Sequence, residues 1–190
     1  MTSARAPKTT KRRPLTPALS PSRGRGRLRL VINAQLGARH VPFLRRHLRR
    51  AHEHLNPTLR EMSLALVNDA RMSALHARFM NVAGPTDVLT FPLDEDARGR
   101  AISGEVVVCV PEARRRAREL RVPVERELLL YALHGMLHLC GFDDRTDRDF
   151  ARMHRTEDMI LAKLGVGPVF DPNHHEHRRN RTPNAEGSRR

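Results

Sequence analysis

His134-Gly135-Met136-Leu137-His138-Leu139-Cys140-Gly141-Phe142-Asp143-Asp144 closes an apolar helical run with metal-ligating side chains at functional spacing. Residues four apart on a helix share a face, with Cβ atoms about 5–6 Å apart. His134 and His138 therefore present two imidazoles to one cation. Gly141 can take the left-handed conformation that stops a helix, so the chain turns back and gives Asp143 or Asp144 a route to the same cation. A helical His pair alone reads equally well as two core histidines bonded to backbone carbonyls. The glycine turn and the carboxylates after it tip the reading toward a metal centre.

A second His at +4, Gly at +7 and a ligand at +10 form the frame of the metzincin helix and turn, and the +10 position here is Asp144. A peptidase of that kind needs a Glu beside the first His as general base. Gly135 stands there instead, which disfavours peptide hydrolysis. Three protein ligands with an open fourth position are what catalytic zinc requires.

Around this stretch the chain has 190 residues and 39% apolar content, enough for one domain with a real core. Residues 1–27 hold eight Lys or Arg, no acid and four prolines (Pro7, Pro14, Pro17, Pro21). Such a composition buries too little apolar surface to offset chain entropy, and it predicts a disordered basic tail. Residues 172–190 carry five Arg against two Glu, with His174, His175 and His177, and have no hydrophobic period. The expected organisation is a tail over 1–27, a domain over 28–166 and a second basic, His-containing tail over 167–190. The formal charge of +14 is mostly a property of the tails, since residues 28–171 hold 22 basic and 19 acidic side chains. Basic tails attract polyanions by counterion release. Cys109 and Cys140 form no Cys-x-x-Cys pair, which predicts neither a disulfide framework nor a thiolate zinc knuckle and fits a reducing cytoplasm. No apolar run reaches a membrane span, and the N-terminus lacks the apolar stretch of a secretory signal.

Periodicity orders the elements. Leu28, Leu30 and Ile32 alternate as a strand, and Val41–Leu55 is an amphipathic helix with Leu44, Leu48, Ala51 and Leu55 inward and Arg45, Arg46, Arg49 and Arg50 outward. Met62, Leu64 and Leu66 alternate again, residues 70–79 read as helix, and two β-rich runs span 87–93 and 105–110. Pro111 opens a helix carrying Arg114, Arg115, Arg116 and Arg118, which reads as a solvated face or as a surface toward RNA. Pro123 opens the metal helix, apolar nearly all round and hence buried. A last helix over about 148–164 buries Phe150, Met153, Ile160 and Leu164. Glu157 shares their stripe, either as a group holding a ligand His or as a boundary residue.

The helix stretch resembles the YbeY-type endoribonuclease signature His-Gly-x-Leu-His-Leu-x-Gly-Tyr-Asp-His, and Pro85-Thr86-Asp87-Val88-Leu89-Thr90-Phe91-Pro92 is similar to that family's Pro-Thr-Asp-Val-Leu-Ser-Phe-Pro. Gly104-Glu105 follows in the matching place, and the resemblance spans residues 28–166. It implies an α+β fold, a mixed four-stranded sheet with surrounding helices and a zincin-like metal helix. It further implies one Zn2+ ion, held here by His134, His138 and Asp144, and a single-strand-specific endoribonuclease maturing the 3′ end of 16S ribosomal RNA in the cytoplasm. Catalytic roles then fall on His134, His138, Asp144 and Asp143, with Asp143 as the nearest proton acceptor or as a residue capping the turn. The implied partners are single-stranded and ribosomal RNA, with the small ribosomal subunit and assembly proteins, and no membrane.

Two departures matter. The family's third histidine falls on Asp144, whose carboxylate still ligates zinc but leaves the site less positive. The arginine that the family places five residues before the proline falls on Met80, and a thioether cannot clamp a phosphate. Arg78 is the nearby substitute. This loss keeps open an alternative, a noncatalytic, metal-stabilised ribosome-assembly factor.

Overall fold

The computed structural model describes residues 27–55 and 57–167, so the tail expectations fall outside the described residues apart from Arg27 and Gly167. Four strands and five α-helices are present: β1 Arg29–Ala34, α1 Val41–Leu55, β2 Glu61–Val67, α2 Asp69–Met80, β3 Val88–Glu95, β4 Ala101–Cys109, α3 Val110–Leu120, α4 Val124–Leu139 and α5 Asp147–Lys163. A 3₁₀ turn, Ala38–His40, leads into α1. The chain divides into two compact units, one reaching Gly141 and the other starting at Phe142.

In the first unit the sheet order is β1-β2-β4-β3. β2 runs parallel to both β1 and β4, and β3 closes the other edge antiparallel to β4. The fold is the expected α+β class with a mixed four-stranded sheet. Pro92 sits on the edge strand β3, where its missing N–H disturbs no ladder, and the register slips just beyond it.

β2 is the central element. Its alternation of Met62, Leu64 and Leu66 predicts one buried face, yet all seven of its residues are buried, Glu61 and Ser63 included. The reason is a second layer. Ala65 and Val67 of β2 join Val107, Cys109 and Leu89 under Met72 and Leu75 of α2, with Phe79 and Phe91 packed edge to face at 5.0 Å. A parallel sheet covered on both faces buries both sets of side chains.

The opposite face carries α4, and two glycines set how closely it lies. A Cβ on Gly104 would meet the Leu139 side chain at 2.4 Å, and one on Gly135 would meet Val106 at 2.6 Å and Thr90 at 2.9 Å. Around this contact Leu128, Leu129, Leu133, Met136 and Leu137 are fully buried, each stabilising the fold by about 1.5–3 kcal/mol. α4 is thus pressed against the sheet over its last turns.

α1 has the predicted bounds, with Leu44, Leu48 and Ala51 fully buried. Leu55 is only half-buried, and two histidines take up part of the inner face. His47 Nδ1 bonds the Phe43 carbonyl at 2.8 Å, and His52 Nε2 bonds the Leu59 carbonyl at 2.7 Å. Burial lowers the pKa of His52, so the neutral ring donates to that carbonyl.

Candidate metal centre

α4 ends as the sequence demands. The Cys140 N–H bonds the carbonyls of Met136 and Leu137, the Gly141 N–H bonds that of His138, and Gly141 takes φ 88°. Only glycine adopts that conformation without strain. Five residues later Thr146 caps α5: its hydroxyl accepts from the Asp149 N–H at 3.1 Å and donates to the Asp149 carboxylate at 2.6 Å. Residues 141–146 therefore form a short turn defined at both ends.

His134 is buried and His138 half-buried on the same face of the last two turns of α4. Their rings meet edge to face with centroids 4.7 Å apart, and the two Nε2 atoms are 3.1 Å apart. One ligand atom each from His134, His138 and Asp144 all lie within 4.8 Å of one another. Nitrogens about 2.0–2.1 Å from one tetrahedral zinc stand about 3.3 Å apart, so the observed spacing fits a single ion of that size. Two imidazoles and a carboxylate are also a donor set that zinc accepts.

Asp143 is differently engaged. Its Oδ1 accepts the Asp144 N–H at 2.8 Å, and its Oδ2 accepts from Arg145 Nε at 2.6 Å. The Arg145 guanidinium, followed by the Asp144 N–H, holds this carboxyl below the usual carboxylate range. A carboxylate so bound is a weak proton acceptor and a good turn brace. Cys140 sits beside the centre, but burial pushes its thiol up to about 12, so it offers no thiolate at neutral pH. Cys109 is raised to about 12 by the same cause.

The other residues singled out by sequence are placed as follows. Glu157 is buried, and its carboxylate bonds His154 Nδ1 at 2.5 Å on the same helix, so it positions a histidine that is outside the ligand cluster. Met80 is 57% exposed at the end of α2. The Arg78 guanidinium stacks 5.3 Å from the centre of the neighbouring Phe79 ring. On α3, Arg115 forks onto Asp69 at 2.8 and 2.9 Å and also holds Glu112, while Arg116 pairs with Glu119. Those two arginines are spent on the protein's own acids.

Sequence reasoning missed the meaning of Gly135. A glycine inside an apolar helix signals close backbone approach, and here the space a side chain would need is filled by Val106 and Thr90. That position also has no room for the general base of a peptidase. Glu127 was missed as well. It is fully buried on α4, and burial raises its pKa against the opposing pull of the Arg116 and Arg126 charges and a bond from Tyr131.

Comparison with known proteins places the chain among described relatives. The profile of the family described as "Endoribonuclease YbeY" matches residues 38–165. An Endoribonuclease YbeY of Persephonella marina is 33% identical over 142 residues, covering 72% of this chain and 92% of that protein. One from Beutenbergia cavernae is 44% identical over 121 residues, covering 60% and 80%. The solution structure of a Thermotoga maritima protein superposes with a TM-score of 0.51 at 26% identity, covering 78% of this chain and 98% of that one.

Proposed function

Since the chain belongs to the YbeY endoribonuclease family, we propose that it is a zinc-dependent endoribonuclease that cleaves single-stranded RNA during maturation of the 16S ribosomal RNA 3′ end in the cytoplasm. The observation that carries the metal part of this reading is the convergence of ligand atoms from His134, His138 and Asp144 within 4.8 Å. A bound zinc ion supplies Lewis acidity toward a phosphodiester and activation of water. His134 and His138 are held in place by the buried helix that carries them, and their orientation is fixed before substrate arrives. Asp144 brings one negative charge to the centre. Asp143 and Arg145 brace the turn that presents it. No described helix is long and apolar enough to cross a membrane, which is consistent with an RNA substrate met in solution. We take residues 28–166 as the working domain, with the basic segments on either side adding nonspecific RNA affinity.

A second reading is favoured by Met80, which replaces the arginine expected from the family pattern. With no guanidinium at that position, the protein acts as a metal-stabilised assembly factor on the small ribosomal subunit without cutting RNA. Elemental analysis of the purified protein, combined with cleavage of a single-stranded RNA with and without chelator, separates the two. Cleavage that stops with chelator and returns with zinc supports the nuclease. Bound metal without cleavage supports the assembly factor, and cleavage indifferent to chelator overturns the mechanism.

A further inference from the structure

α1 carries a stripe of arginines, of which Arg46, Arg49 and Arg50 have no ion-pair partner among the described residues. Arg45, Arg46, Arg49 and Arg50 line one shallow surface groove with Arg27 from the approach to β1, and Glu53 is the one acid in its lining. They occupy the helix face opposite Leu44, Leu48 and Ala51, the side on which α1 packs into the fold against α4 and β1. Arg45 donates to the Leu30 carbonyl at 3.0 Å, which fixes the helix to β1. Among the described residues Arg27, Arg46, Arg49 and Arg50 make no ion pair, in contrast to Arg115 and Arg116. Arg49 Nε is buried without a hydrogen-bond partner among the described residues, a state that calls for an acceptor from outside.

This arrangement works against the helix itself. Arg45 with Arg49, and Arg46 with Arg50, stand at i,i+4, where like charges destabilise. Four arginines on one helical face with Glu53 as the single acid in the groove lining leave an excess of positive charge that suits an anionic partner. The pairs recur about every 6 Å along the axis, and guanidinium forks match phosphate oxygens. A membrane surface fits poorly, because a helix lying in an interface buries its apolar face in lipid and Leu44, Leu48 and Ala51 on that face of α1 are already fully buried in the protein.

We propose that the arginine face of α1 is a docking surface for the phosphate backbone of the RNA substrate, separate from the metal centre. The proposal rests on the RNA-directed reading above and adds a second contact to it. The test uses the full-length protein and a nuclease-resistant 2′-O-methyl RNA strand, with affinity measured between 50 and 200 mM salt. Each phosphate contact on a single strand contributes about 0.7 to the slope of log affinity against log salt. Substituting Arg46→Gln, Arg49→Gln and Arg50→Gln together should flatten the slope by about 2, so that wild type loses about twentyfold more affinity across that range than the variant. The pair Arg46→Gln with Arg50→Gln, both exposed, serves as a milder second variant that should flatten it by about 1.4. Circular dichroism checks that each variant is folded. The matched control is Arg71→Gln, Arg98→Gln and Arg118→Gln, which removes equal charge from other exposed positions and should leave the slope as in wild type.

Equal flattening in both sets, or in neither, overturns the proposal. Loss of binding to anionic phosphatidylglycerol vesicles with RNA binding retained overturns it in favour of lipid. Chelator-sensitive cleavage by the wild-type protein is scored separately. Its absence, with the α1 slope effect present, sinks the nuclease reading and leaves the docking surface standing.

Discussion

α4 and α1 belong to one compact unit and are built from opposite ingredients. α4 is enclosed on nearly every side and carries two histidines on its last two turns, pressed to the sheet where Gly104 and Gly135 leave no space. α1 buries one face and leaves bare guanidinium groups on the other. Enclosure fixes geometry to fractions of an ångström but gives no reach. Exposed charge gives reach and tolerates imprecision. In the proposals above the division gives chemistry to one helix and grip to the other, and α3 is the internal control: it too carries four arginines, and it directs two of them onto Asp69, Glu112 and Glu119.

The strongest way to break this division is at the ligands. His138→Ala or Asp144→Ala should lose bound metal by elemental analysis and reduce cleavage on the order of a thousandfold, the several kcal/mol a catalytic metal supplies. RNA affinity should hardly change. Asp143→Ala should keep the metal, because its carboxylate is tied to Arg145. An Asp144→Ala protein with full metal content would move the third ligand elsewhere and undo the assignment.

Next in size is the clasp beneath the histidines. Gly135→Ala places a methyl group 2.6 Å from Val106, and overpacking of this kind costs about 1–3 kcal/mol. Denaturant unfolding should register that loss, and adding Val106→Ala should return part of it. If Gly135→Ala unfolds at the wild-type midpoint, α4 is not held as tightly as the contact indicates.

The α1 substitutions sharpen the comparison from the other side. Their effect on cleavage should sit in KM and vanish at saturating RNA, as loss of uniform binding does. A fall in kcat at saturation would show that α1 takes part in the chemistry and erase the distinction.

The smallest effect belongs to the control helix. Arg115→Met removes the fork onto Asp69, both groups being 42% exposed, and should lower stability at neutral pH by no more than about 1 kcal/mol. Asp69 is held below the usual carboxylate range chiefly by Arg115. Stability from a depressed carboxylate is complete above its unfolded pKa and is lost as pH falls through the folded value. The gap between wild type and variant should therefore be widest at neutral pH and close below about pH 4. RNA affinity should not respond.

Much of this was legible in the sequence, and what escaped did so for identifiable reasons. The apolar stripe of α1 has the helical period and marks Val41–Leu55, and Gly141 leaves few alternatives to a turn after α4. β4 starts at Ala101, four residues before the β-rich run, because its first residues are recruited by pairing with β2 and β3, which no local pattern announces. His47 and His52 are buried through bonds to carbonyls at Phe43 and Leu59. A count of apolar spacing cannot register them. The α1 and α3 arginines look alike in sequence, since their difference lies in acids supplied by other segments. Asp69 is 46 residues from Arg115.

Gly135 also constrains what this chain can become. A single substitution to Glu would complete the spacing of a metallopeptidase helix, but the new Cβ would overlap Val106 and crowd Thr90 before its carboxylate reached any cation. Two neighbouring strands would first have to be hollowed out, each change destabilising by itself and useless until the other was made. In mutational terms a pair of chemistries separated by one residue in the alphabet lies at least three steps apart, across a stretch of less stable intermediates. Buried Val106 and half-buried Thr90 thus stand in the way of that change.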